Sequence, residues 1–298
     1  MNLSKYLILM ILAFNPLTVG VANATSEDIE QHAIYTRSLN TMVSTLMAWY
    51  GSLIEPTQNI SFQPIDKAWQ LYRKQYPKDI SQIKILNTDL QKSKDNDASY
   101  TFEVETAISH KRGEQVALKY LNEQFNFQFT AEKPVITKIS VKEQDNSQID
   151  KTAQSSNSFD DLYFKSREFA YAWLAYLDGV QKDQTQIQTE GAKYSINIGS
   201  LKINKPLFEA LQERKQFLTK GGHTLRALEI TKMTDKPDHF QLDITMNWKG
   251  VNVKDKSVIA KVVQKIELQI QDDNAWKIIS IDEQHLLPDL TPWQDLLC

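Results

Sequence analysis

One cysteine, Cys298, in a chain of 298 residues offers no internal disulfide and no thiolate pair for a metal. Stability must come from burial. Glycine and proline are scarce as well, nine of each, which excludes collagen-like and low-complexity chains and leaves little backbone for phosphate-cradling loops. Neither sign of charge dominates: 34 Lys and Arg face 37 Asp and Glu, net −3, so the basic footprint of a nucleic-acid binder is missing. No stretch after the first few residues approaches the roughly 20 apolar residues that span a bilayer, so no membrane span is expected.

What is present begins with a leader. Lys5 precedes the apolar run Tyr6 to Phe14, and Ala22-Asn23-Ala24 follows, which is the order of charge, short apolar core and small-x-small site of a cleaved secretory signal. Residues 1–24 therefore read as a signal peptide, with cleavage near Ala24 and a periplasmic or secreted product. Residues 6–14 rise about 1.5 Å each in a helix and fall short of a hydrocarbon core near 30 Å. A lipid-modified form would need a cysteine directly after the leader. Cys298 lies at the far end instead, where at most it could link two chains.

The remainder divides by self-similarity. Leu46-Met47-Ala48-Trp49-Tyr50-Gly51-Ser52-Leu53 resembles Ala170-Tyr171-Ala172-Trp173-Leu174-Ala175-Tyr176-Leu177, both within helical patterns of apolar residues three and four apart. Downstream, Tyr100, Phe102, Val104 and Ile108 alternate as one face of a strand, and Phe240, Leu242, Ile244, Met246 and Trp248 repeat the pattern. Phe125, Phe127 and Phe129 are answered by Ile266, Leu268 and Ile270. Val135 to Val141 and Trp276 to Ile281 read as last strands. A second helix is expected in each part, Lys67 to Tyr76 with Asp66 as N-cap, and Leu207 to Lys220 with Asn204 as N-cap, Pro206 in its first turn and Gly221-Gly222 as its stop. Residues 181–203 are extra in the second part, as an added hairpin or a lid. Residues 143–158 have only Ile149 and Ala153 as aliphatics and read as a flexible linker. The expected units are thus 25–142, the linker 143–158, 159–285, and an apolar tail 286–298 that docks on the protein or on a partner.

Helix, second helix, antiparallel meander and a closing strand opening Ala275-Trp276-Lys277-Ile278 resemble the nuclear transport factor 2-like superfamily, twice over nearly all of the chain beyond the leader. The first part departs from this at Pro134-Val135-Ile136, and a cystatin-like arrangement, with one helix on a sheet, is the alternative. The resemblance implies an α+β fold in which each curved sheet wraps helices into a cone. It leaves function open, because members include isomerases, hydrolases and dehydratases as well as non-catalytic binding and assembly domains.

Chemistry is sparse by this reading. Glu103, Glu105 and Asp243 alternate with the apolar positions and should point away from the covered faces. The histidines 32, 110, 223, 239 and 285 show no metal-ligand spacing, no cofactor motif is present, and His223 and His239 read as exposed or loop-capping imidazoles at strand starts. A ketosteroid-isomerase-like site would nominate Tyr50, Tyr176 and Asp178. Trp49 and Trp173 read as core, Trp248 as a residue at a pocket mouth, and Trp293 as a partner contact. With an inert lining, the first expectation is a non-catalytic envelope protein that binds a protein partner, its halves paired sheet against sheet as an internal pseudo-dimer. A small-molecule isomerase or hydrolase in the second cone and a carrier of a hydrophobic small ligand are the alternatives.

Overall fold

The computed structural model describes residues 26–54, 63–93, 98–113, 115–130, 133–144, 161–179, 187–198, 201–236, 238–252, 257–271 and 276–286. The leader, most of the linker, and the tail with Trp293 and Cys298 lie outside these. The fold is α+β. In the first half, α1 (Ser26–Ile54) and α2 (Gln63–Tyr72) precede β1 (Ile80–Lys92), β2 (Ser99–Arg112), β3 (Gln115–Thr130) and β4 (Lys133–Glu143), an antiparallel sheet in sequence order. The second half runs α3 (Asp161–Leu177), β5 (Ile187–Gln188), β6 (Lys193–Ile198), β7 (Leu201–Pro206), α4 (Leu207–Phe217), β8 (Leu218–Lys232), β9 (His239–Asn252), β10 (Ser257–Ile270) and β11 (Trp276–Leu286). Its sheet has the order β7-β6-β11-β10-β9-β8, and β5 and β6 join β11 in parallel. The extra residues of the second half are therefore in large part a hairpin added to the sheet.

The alternating strands bury one face, as period-two patterns require. Phe102, Val104, Phe125 and Phe127 close over Trp49 in the first half, and Leu242, Ile244, Ile266 and Leu268 over Trp173 in the second. Glu103 and Glu105 are exposed on the opposite face. Two helix limits differ from expectation. Asp66 lies inside α2, which starts at Gln63, so the segment begins one turn earlier than its acidic residue suggested. Asn204 belongs to strand β7, paired with Ser195, and Gly221-Gly222 belong to β8. Their glycines serve close approach instead: a Cβ on Gly221 would stand 2.5 Å from the Trp248 ring, and one on Gly222 would stand 3.0 Å from Thr36 Cβ.

Among the described residues the halves meet where α1 packs on α3 and on the edge strand β8. At 29 residues α1 is about 44 Å long, enough to serve both halves. Its apolar stripe, Met42, Leu46, Trp49 and Leu53, enters the first core. A second stripe of small or polar residues, Ala33, Thr36, Asn40, Ser44 and Gly51, faces the other half. Thr36 lies against Gly222, the Ser44 hydroxyl donates to the Glu168 carbonyl of α3 at 3.1 Å, and Gly51 touches Phe164. In return, α3 places Phe164 in the first core against Tyr50, ring centroids 5.7 Å apart. The outward sheet positions are polar and exposed or half-buried.

Candidate active site

At the end of α3, Gly179 adopts φ 76°, a left-handed turn that glycine enters at no steric cost and that commonly ends a helix. This sets Asp178 beside β8. One carboxylate oxygen accepts the His223 backbone N–H at 3.0 Å, and the other lies 2.5 Å from His223 Nδ1. Both side chains are 1% exposed. A carboxylate only accepts, so in the neutral imidazole Nδ1 carries the proton and Nε2 holds the free lone pair. Among the described residues that Nε2 is buried without a hydrogen-bond partner. Buried polar atoms are nearly always bonded, and an orphan costs about 1–3 kcal/mol. In register with Trp248 and two residues before Leu225, His223 lies on the covered face of the second sheet.

A second polar group lies in the same half. Glu283, 1% exposed, receives both Arg214 guanidinium nitrogens at 3.2 Å and the Gln264 amide at 2.6 Å, and His285 Nε2 lies 2.6 Å away. Trp173 Nε1 in turn donates to Gln264 at 2.8 Å. Burial alone would raise the Glu283 pKa. The Arg214 charge and the hydrogen bonds of His285 and Gln264 outweigh it and hold the carboxyl well below the usual range. Burial, with Glu283 adjacent, pushes the Tyr194 phenol up.

The first half holds its own acid. Glu123 on β3 is 2% exposed and accepts from Tyr76 at 2.5 Å, Thr106 at 2.6 Å and Tyr50 at 3.0 Å. Burial raises it from 4.5 to about 7 against the opposing pull of these three hydroxyls. Tyr76 also borders a cavity of about 310 Å³ with Leu121, Lys119 and Glu143. A larger hollow of about 1,090 Å³, near β5 to β7, is rimmed by Lys193, Lys202, Lys205 and Lys277, and neither Asp178, His223 nor Glu283 borders it.

Of the nominated residues, Tyr50 and Asp178 both engage buried ionisable groups, but in different halves. Tyr176 stacks on Trp173, centroids 5.6 Å apart, and Trp248 is buried over Gly221. The inert lining is overturned by Glu123, Glu283, Asp178 and His223. His223 is buried rather than loop-capping because a bulge between Leu225 and Ala227 shifts its phase. His239, beside Glu267 at 2.8 Å, is half-buried. Among the described residues no group of three or more His, Cys, Asp or Glu could hold a metal ion.

No family model matches the chain, and no curated protein matches it. Similar solved structures include a hexachlorocyclohexane dehydrochlorinase, LinA-type3, from Novosphingobium barchaimii (15% identity, TM-score 0.32, 38% of this chain and 79% of that one). Others are an uncharacterized protein with a cystatin-like fold from Caulobacter vibrioides (10%, 0.32, 40% and 86%) and a putative aromatic ring hydroxylase from Novosphingobium aromaticivorans (18%, 0.30, 38% and 74%). None is close enough to assign an activity.

Proposed function

We propose that the chain is an exported tandem of nuclear transport factor 2-like modules whose second half performs acid–base chemistry on a small, weakly polar molecule, as an isomerase or hydrolase does. The observation that carries this reading is the bare Nε2 of His223, whose other ring nitrogen is held 2.5 Å from Asp178. In this mechanism Nε2 removes a proton from a carbon acid or from water. Asp178 fixes the tautomer and stabilises the imidazolium that forms. Trp248, Met246 and Leu225 on the same face keep water away, which strengthens that charge pair.

Two tests need no knowledge of the substrate. 5-Nitrobenzisoxazole reports a desolvated base, since proton removal from its ring carbon breaks the N–O bond and releases a coloured phenolate. Exchange of solvent deuterium into small ketones, read by NMR, reports the same step. The full chain should accelerate at least one with saturation, and His223→Gln should abolish the acceleration. Equal rates for wild type and His223→Gln on both probes overturn the reading and return the protein to envelope binding or ligand carriage. Envelope binding was expected from a lining without acids or bases, and ligand carriage needs only an open apolar cone.

A further inference from the structure

We infer that Asn40 and Arg37, on the helix of the first half, are positioning residues for His223, so that the second half's site is complete only with α1 docked on it. The catalytic meaning rests on the acid–base reading above, while the geometry stands apart from it.

Strand β8 is an edge, and the outward groups of alternate residues have no neighbouring strand to bond. Residues two apart in a strand point the same way, and residues three apart on a helix share a face. The two spacings meet here. Arg37 Nε donates to the Gly221 carbonyl at 2.8 Å, and Asn40 Nδ2 donates to the His223 carbonyl at 2.7 Å. The His223 N–H, on the same outward side, goes to Asp178. Side chains from two different halves therefore hold both main-chain groups of His223. Asn40 is itself 1% exposed, so its amide has no water to turn to. The seat is tight: a Cβ on Gly222, between the two capped carbonyls, would meet Thr36 Cβ at 3.0 Å and the Ala33 carbonyl at 3.3 Å. Mere blunting of an edge needs polar or bulky residues anywhere along it. These caps instead bracket the one residue whose ring must be aimed.

The test uses the full chain. Asn40→Leu keeps the branched heavy-atom skeleton and removes the donor, Asn40→Gln keeps an amide, and Ser44→Ala cuts a different bond of the same helix contact. Two readouts are taken, the His223 tautomer by nitrogen-15 NMR and the turnover of 5-nitrobenzisoxazole. Asn40→Leu should lose the single Nδ1–H tautomer and lower kcat by about a hundredfold with KM little changed, the effect of misplacing a reacting group by about 1 Å. Asn40→Gln should recover a large part, and Ser44→Ala should leave both readouts alone. If Asn40→Leu does not fold, Arg37→Met at its half-buried position tests the same contact and should give a smaller shift of the same kind. A folded Asn40→Leu with wild-type tautomer and rate overturns the inference. A changed tautomer in a protein with no His223-dependent rate supports the positioning and overturns the acid–base reading instead.

Discussion

Replacing Glu123 by Gln removes a charge from the closed interior of the first half while nearly keeping its shape. The native carboxyl titrates at about 7 rather than 4.5, chiefly because burial penalises its ionised form. The sign follows from which state holds the proton. Below pH 4.5 the carboxyl is protonated in both folded and unfolded chains and costs nothing. Between 4.5 and 7 the unfolded chain ionises first, so stability falls as pH rises, and above 7 the loss is complete. At about 1.4 kcal/mol per pH unit, that loss is about 3 kcal/mol. Because the side chain is fully buried, solvent screening takes little from it. Glu123→Gln cannot titrate, so its stability relative to wild type should improve by about 3 kcal/mol between pH 4.5 and 8. Urea unfolding across this range reads the difference as a relative midpoint shift on the order of 1–2 M. Subtracting one protein from the other cancels the titration of every other group. Parallel curves would refute the reasoning, since they would mean that Tyr50, Tyr76 and Thr106 compensate burial completely.

Removing Arg214 should behave in the opposite way. Arg214→Met leaves the Glu283 carboxylate buried without its cation and should cost about 3–5 kcal/mol at neutral pH, less in acid, with much of it restored by adding Glu283→Gln. Calorimetry of the single and double variants checks this. Gly221→Ala forces a methyl to within 2.5 Å of the Trp248 ring and should cost about 1–3 kcal/mol, most of which vanishes in combination with Trp248→Val. An additive double-mutant cycle would show that the glycine serves something else. Phe164→Ala should cost about 3–5 kcal/mol and, although the residue lies on α3, should lower the unfolding midpoint of the first half.

How far the sequence carried depended on strand phase. The paired Trp49 and Trp173 helices and the alternating strands around Phe102 and Leu242 could be read because burial imposes periods of 3.6 and 2 on apolar residues. Glu123 was legible too: counting back by twos from Phe129, Phe127 and Phe125 arrives at it. His223 and Glu283 were hidden by bulges. Counting forward from Trp276 and Ile278 puts position 283 outside, but the pairing slips between Glu267 and Leu268, so that Ile281 and Glu283 turn inward. Counting back from Ile230 and Leu228 likewise puts 223 outside, and the slip between Leu225 and Ala227 turns it in. A bulge has no reliable signature in one sequence, yet it reverses the face of everything beyond it. The double use of α1 was hidden for a different reason. Its small and polar stripe reads as a solvated face unless the opposing Gly222 is known.

The two halves satisfy their buried acids in different ways. Matching Phe125 with Ile266 places Glu123 opposite Gln264, so the second half has an amide where the first has a carboxyl. Its own acid, Glu283, sits one strand over and directly beside Gln264. Three hydroxyls close the first acid, and an arginine closes the second. Both arrangements bond each oxygen of each carboxylate at least once. Among the described residues His223 Nε2 shares its unbonded state with Trp49 Nε1, His110 Nε2, Arg167 Nε and Ser195 Oγ, but of these only His223 has its other ring nitrogen on a buried carboxylate and its carbonyl held by Asn40 of the first half. The pairing of a carboxylate on Nδ1 with a bare Nε2 is what sets His223 apart from the two closed acids. The Glu123 cluster holds α1 near its C-terminal end through Tyr50, while Arg37 and Asn40 in the middle of that helix hold the main chain of Gly221 and His223.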